Sequence, residues 1–217
     1  SGLWIPLVTP FQHGAVDYAA LAALVKQLAK QGVAGFVACG STGEAAALSD
    51  AEQLAVLDTV LAAADIASAE PGQRLPVMMG LSGYRLEDML ARVEELRRYP
   101  LAALLVPAPH YIRPSQAGLL HWFRAIADAA SAPLCLYDIP YRTGVAMTPE
   151  TLLTLAAHPN IAAIKDCGGD AAKTWALIAD GRLQVLAGED AQVFSSVAQG
   201  AVGAIAASAH LHAGRFA

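Results

Sequence analysis

The stretch Ile161-Ala162-Ala163-Ile164-Lys165-Asp166 puts a lysine where a lysine can do covalent chemistry. It is a short apolar run that ends on an amine. Runs of this length and branching suit a strand buried on both faces, as in a parallel sheet. A lysine at the exit of such a strand lies where the core meets the mouth of the fold. Burial disfavours the charged amine, so its pKa falls and more of it is the neutral nucleophile at neutral pH. The plainer reading is a lysine that snorkels to solvent or pairs with Asp166. A second apolar run, over 134–137, ends on Tyr137. Neighbouring strands lie ~4.8 Å apart, so this phenol and the amine can meet and exchange the protons of carbinolamine formation and dehydration. Taken alone, Tyr137 is more simply a core tyrosine with a satisfied hydroxyl.

Three further groups suit a small anionic substrate. In Gly40-Ser41-Thr42-Gly43-Glu44, two glycines permit a tight turn, and the hydroxyls and backbone N–H groups can hold a carboxylate. An ordinary strand-to-helix turn would look the same. Tyr111 can supply a second phenol, or be an exposed or interface aromatic. Arg142, in Tyr141-Arg142-Thr143-Gly144, is a candidate fork for a carboxylate or one half of a surface ion pair.

These groups need a frame, and one pattern recurs along the chain: a short apolar strand, a loop, then an amphipathic helix. Strands are expected over 4–8, 35–39, 76–80, 103–106, 134–137, 161–165, 183–187 and 202–206. Helices are expected over 18–31, 51–64, 85–99, 115–130, from Thr148-Pro149-Glu150 onward, over 171–179, and after Gly188-Glu189-Asp190 to near Gly200. Ser49 or Asp50 should open the second helix as N-cap, and 66–74 reads as a loop. Eight such units predict an α/β fold, a (β/α)8 TIM barrel occupying 1–217 as a single domain. A doubly wound sheet is the rival, but GxGxxG after the first strand is missing, as is a P-loop. The polar and glycine residues Thr9, Ser41, Thr42, Tyr111, Tyr137, Arg142, Lys165 and Gly188 fall at the strand exits, the catalytic end of a barrel. The chain stops at Ala217 within the expected helix eight, so that helix and a C-terminal helical segment are expected to be missing.

Bulk properties narrow the partners. The 217 residues are 55% hydrophobic and 15% charged, with net charge −5, and no cluster of lysine and arginine offers a face for nucleic acid. Three cysteines without a CxxC indicate neither a disulfide framework nor a zinc site, and reduced thiols suit a cytoplasmic protein. No apolar run reaches the ~18 residues of a membrane span.

Gly40-Ser41-Thr42-Gly43-Glu44, Arg113-Pro114-Ser115-Gln116, the stretch 137–144 and Lys165-Asp166, in this order and spacing, resemble the dihydrodipicolinate synthase/N-acetylneuraminate lyase family of Schiff-base (β/α)8 aldolases. The resemblance covers every expected strand. It implies that Lys165 forms an imine with pyruvate, that Tyr137 and Ser41 relay protons, and that Tyr111 does so across a dimer interface. It further implies that Thr42 holds the pyruvate carboxylate, that Ile205 and Gly188 line the pocket, and that Arg142 binds the carboxylate of L-aspartate-4-semialdehyde. The product would be 4-hydroxy-tetrahydrodipicolinate, an intermediate of lysine and diaminopimelate biosynthesis. No metal or organic cofactor is called for, since the lysine is the electron sink, and a homotetramer built as a dimer of dimers is implied.

Some positions depart from the synthase pattern. Ser41 stands where threonine is usual, in the form sialate lyases carry. Asp138 and Ile112 stand where Asn is usual, and His110 replaces an aromatic. They leave room for a sugar-derived 2-keto acid as substrate and do not touch the Schiff-base chemistry. A catalytically silent barrel that binds ligands is a separate alternative, and Lys165, Tyr137 and the Ser41-Thr42 pair argue against it. The positions matching the family's lysine-feedback pocket, Ala45, Asp50, Gln53, Tyr84, Asp88 and His110, mostly lack the usual polar groups, which implies weak or absent feedback.

Overall fold

The computed structural model describes residues 1–66 and 74–216. Eight parallel strands carry the chain: β1 (Gly2–Pro6), β2 (Gly35–Ala38), β3 (Val77–Gly80), β4 (Ala103–Pro107), β5 (Leu134–Asp138), β6 (Ile161–Asp166), β7 (Gln184–Ala187) and β8 (Gly203–Ile205). They follow one another round a closed barrel in the order β1-β8-β7-β6-β5-β4-β3-β2. The helices between them are α1 (Tyr18–Ala29), α2 (Asp50–Ile66), α3 (Leu86–Leu96), α4 (Gln116–Ala129), α5 (Pro149–Leu155), α6 (Ala171–Asp180) and α7 (Val193–Ala198), with a one-turn helix, Pro140–Thr143, after β5 and the short α8 (Ala209–His212) after β8. This is the expected (β/α)8 architecture. Of the loop expected over 66–74, Ile66 closes α2, and 67–73 lie outside the described residues.

By contact the chain divides into two compact units, Leu81–Ala204 with Ser1, and Gly2–Gly80 with Ile205–Ala217. In the Gly2–Gly80 unit, β1 pairs with β2 through Trp4↔Gly35 and Ile5↔Phe36, and β2 with β3 through Phe36↔Val77. Its buried side chains include Ile5, Phe36, Val37, Val77 and Met79 of the strands and Leu21, Val25 and Leu28 of α1. Those three recur at helical spacing, and Asp17 caps the helix by accepting from the N–H of Ala20 at 2.9 Å. Ser49, not Asp50, opens α2. Its hydroxyl accepts from the N–H of Glu52 at 3.3 Å, and the Glu52 carboxylate accepts from the N–H of Ser49 at 2.8 Å, a reciprocal capping box. A two-stranded antiparallel hairpin, Phe11–Gln12 with Ala15–Val16, follows β1 and was not expected from the sequence. Two residues a side give no run for a periodicity to show.

The Leu81–Ala204 unit holds β4 to β7 edge to edge. Its strands are buried almost throughout, as parallel strands covered on both faces must be. Leu119, Phe123 and Ile126 of α4 are fully buried, as are Leu152 and Leu155 of α5. Ser115 caps α4, and Thr148 caps α5 with Pro149 in its first turn. Between β5 and β6 the register slips by one residue: Leu134 pairs with Ile161, and Cys135 with Ala163. Beyond the slip the pairing is regular, and its last two rungs are Tyr137↔Lys165 and Asp138↔Asp166.

Candidate active site

Side chains alternate faces along a strand. The last two rungs of β5 and β6 therefore present two different pairs to opposite faces. On one face, the Lys165 amine lies 3.4 Å from the Tyr137 hydroxyl and 4.4 Å from the centre of its ring. Lys165 is only 5% exposed, which removes the snorkelling alternative. The pairing with Asp166 is also absent, because Asp166 faces the other way and binds Lys173 and Thr174.

Burial pushes the Lys165 amine below the ordinary lysine value. The thiols of Cys167 and Cys135 and the carboxylates of Asp190 and Glu189 work against that shift. Burial also pushes both thiols up to about 12, so they are uncharged at neutral pH. Only the carboxylates then favour the ammonium. Gly188 makes room for the lysine stem. A Cβ there would lie 2.9 Å from Lys165 Cγ and 3.0 Å from Cε, and would collide with the sulfur of Cys167.

The loops after β5 and β7 meet through one hydrogen bond. The Tyr141 hydroxyl donates to Glu189 Oε1 at 2.7 Å. Burial, then this bond, pushes the Tyr141 phenol up to about 12. Beside it, His110, Tyr111, Arg113, Tyr141 and Arg142 line an open cleft of about 660 Å³. Arg142 lies 5.9 Å from the centre of the Tyr141 ring, and among the described residues it makes no ion pair. Burial, then the Arg142 charge, lowers the His110 pKa. The cleft thus offers two guanidinium groups and a mostly neutral imidazole to an anion. Tyr111 is 89% exposed with φ of 69°, so in this chain it projects to solvent and is not beside Lys165.

The remaining expected residues lie in the other unit. Ser41 and Thr42 occupy a 3-10 turn directly after β2, Ser41 exposed and Thr42 half-buried. Gly43 closes that turn with its N–H on Gly40 O at 3.0 Å, and Thr9 donates to Gly43 O at 2.6 Å. A Cβ on Gly43 would lie 2.8 Å from Leu7 O, so only glycine lets the turn lie against the exit of β1. Ile205 is fully buried at the end of β8.

Two features escaped the sequence reading. The Tyr141–Glu189 bond joins loops 48 positions apart, which no local signal marks. Lys173 is the second buried lysine, on the first turn of the helix that follows β6, where a lysine ordinarily faces solvent.

A parallel barrel with a buried amine and a phenol on adjacent strand exits defines the class, an α/β barrel equipped for imine chemistry. A model of the dihydrodipicolinate synthetase family matches residues 1–217, and the chain belongs to that family. It is 35% identical over 217 residues to 4-hydroxy-tetrahydrodipicolinate synthase 2 of Clostridium acetobutylicum, covering 99% of this chain and 73% of that one. It is 40% identical over 224 residues to 4-hydroxy-tetrahydrodipicolinate synthase of Stenotrophomonas maltophilia (strain R551-3), covering all of this chain and 71% of that one. Among solved structures it resembles the chloride-inhibited dihydrodipicolinate synthase of Acinetobacter baumannii complexed with pyruvate, with a TM-score of 0.92 and 32% identity, over 99% of this chain and 72% of that one.

Proposed function

We propose that the chain is a lyase that condenses pyruvate with L-aspartate-4-semialdehyde through an imine on Lys165, giving 4-hydroxy-tetrahydrodipicolinate. The observation that carries this reading is the Lys165 amine, buried, depressed in pKa and 3.4 Å from the Tyr137 hydroxyl. The neutral amine attacks the keto carbon of pyruvate. The carbinolamine loses water, with Tyr137, Ser41 and Tyr111 moving the protons. Thr42 and its turn hold the pyruvate carboxylate, and Ile205 and Gly188 wall the pocket. Loss of a methyl proton makes the enamine, whose carbon attacks the aldehyde. Arg142, free of any ion pair among the described residues, holds the carboxylate of the semialdehyde. The semialdehyde amine then attacks the imine carbon, which closes the ring and releases Lys165. The lysine is the electron sink, so this route calls for no metal or organic cofactor.

The reading carries two expectations about context. Tyr111 can act only if a second copy of the chain receives it, as in a dimer of dimers, and its 89% exposure is compatible with that. A cytoplasmic compartment suits a biosynthetic enzyme with three buried cysteines that form no disulfide. Among the described residues no helix is long and apolar enough to cross a membrane. A coupled assay on pyruvate with L-aspartate-4-semialdehyde, run beside N-acetylneuraminate and 2-keto-3-deoxy-sugar acids, tests the proposal. Turnover of the first pair is expected. Turnover of a sugar acid alone would move the chain to the sugar-acid branch, and turnover of none would leave a binding barrel.

A further inference from the structure

Directly behind the Lys165–Tyr137 pair, on the opposite face of the same two strands, lies a second charged cluster. Asp138 and Asp166 form the rung after Tyr137↔Lys165. Two carboxylates side by side repel and cannot both stay ionised out of water without a cation. Lys173, from the first turn of α6, supplies it. Its ammonium donates to Asp138 Oδ2 and lies 3.3 Å from Asp166 Oδ1. All three side chains are buried, Lys173 at 4% and Asp138 at 1% exposure.

The other carboxylate contacts are to the backbone and to a hydroxyl. Asp138 Oδ1 accepts from the N–H of Met147 at 3.2 Å, and Asp166 Oδ1 from the N–H of Gly168 at 2.9 Å. Asp166 Oδ2 accepts from the Thr174 hydroxyl at 2.5 Å. Gly168 is bare where a Cβ would collide with the Lys173 amine. The cluster is thus a built site, with a partner on every carboxylate oxygen, that the proposed reaction does not use.

We infer that Lys173 is a positioning residue, whose ammonium ties the exits of β5 and β6 together and so fixes the distance between Lys165 and Tyr137. The inference rests on the Schiff-base reading of Lys165. The tie crosses one rung beyond the reacting pair, so slack there moves the amine and phenol directly. It also seals the back of the pair from water, which keeps burial acting on Lys165. Its own charge state suits the role. Burial opposes the Lys173 ammonium, but Asp138 and Asp166 outweigh burial and raise its pKa above the ordinary lysine value. Lys173 therefore stays a cation, and of the two buried lysines only Lys165 can be the nucleophile.

The test is the rate at which borohydride and pyruvate add mass to Lys165, followed against pH with folding checked by circular dichroism. Asp138→Leu cuts the tie to β5 yet leaves Lys173 paired one-to-one with Asp166, so no charge is stranded. Asp138→Asn keeps an oxygen for the Lys173 ammonium. Trapping is expected to slow by at least about tenfold in Asp138→Leu, with its pH midpoint moved up as water reaches Lys165, and to stay within about threefold of the parent in Asp138→Asn. A folded Asp138→Leu that traps at the parent's rate and midpoint would overturn the inference, as would an Asn variant that falls as far as Leu. Should Asp138→Leu not fold, titration of labelled lysine amines in the parent decides. Lys165 must lose its proton at lower pH than Lys173, and the reverse order overturns the inference. A parent protein that traps no pyruvate at all would instead remove the Schiff-base reading.

Discussion

Two buried lysines eight positions apart, Lys165 and Lys173, have amines whose pKa values move in opposite directions. Their linkage to stability is therefore opposite. Lys165 has a folded pKa below its unfolded value, so it weakens the fold at pH below its folded pKa, and the cost is relieved as pH rises towards 10.5. Lys173 has a raised pKa. Its contribution is present below the ordinary lysine value and is lost as pH rises through the folded one. Chemical denaturation at pH 7 is expected to show Lys165→Met more stable than the parent. Lys173→Met should lose roughly 3–5 kcal/mol, because two carboxylates are left buried without their cation. The same depression sets the pH dependence of imine formation. The neutral fraction of Lys165 grows with pH, so borohydride trapping should rise with pH and level off below the 10.5 of a free lysine. Gly188→Ala should slow that trapping, since its Cβ would press on the Lys165 stem.

The frame that holds these residues was legible in the sequence because parallel strands buried on both faces are written as short, unbroken apolar runs. The runs over 134–137 and 161–165 each located a strand to within one residue of its exit. The facing of Tyr137 and Lys165 followed from adjacency alone. Ends and side-by-side partners were less legible. The sequence offered Asp166 as a partner for Lys165 because they are neighbours in the chain, yet alternation turns neighbours to opposite faces. Lys173 was invisible to periodicity because a lysine in the first turn of a helix reads as a solvated face. Its position depends on the helix start, and that start is set by Asp170, whose carboxylate accepts from the N–H groups of Ala172 and Lys173 at 3.0 Å each. Asp170→Ala is expected to cost about 1 kcal/mol in denaturation as a lost N-cap. It should also slow pyruvate trapping, because α6 delivers Lys173 and Thr174 from its first turn.

At the scale of the whole molecule, the family reading makes demands beyond one chain. Tyr111 juts outward from a left-handed backbone position beside the Arg142 cleft, and a relay role requires a second copy to receive it. Sedimentation should then show a multimer, and Tyr111→Phe should slow imine formation only where that multimer persists. Feedback by lysine is expected to be weak or absent. Gln53, at one of the matching positions, spends its amide N–H groups on Ala45 O at 3.0 Å and Leu48 O at 3.3 Å, which leaves them unavailable to a ligand. Inhibition at sub-millimolar lysine would contradict that expectation. The most direct measurement for the account as a whole is mass spectrometry of the protein after pyruvate and borohydride, with peptide mapping. One reduced pyruvyl group on Lys165, absent from Lys165→Met, is the predicted result. An unmodified Lys165, or the label on Lys173, would contradict the account.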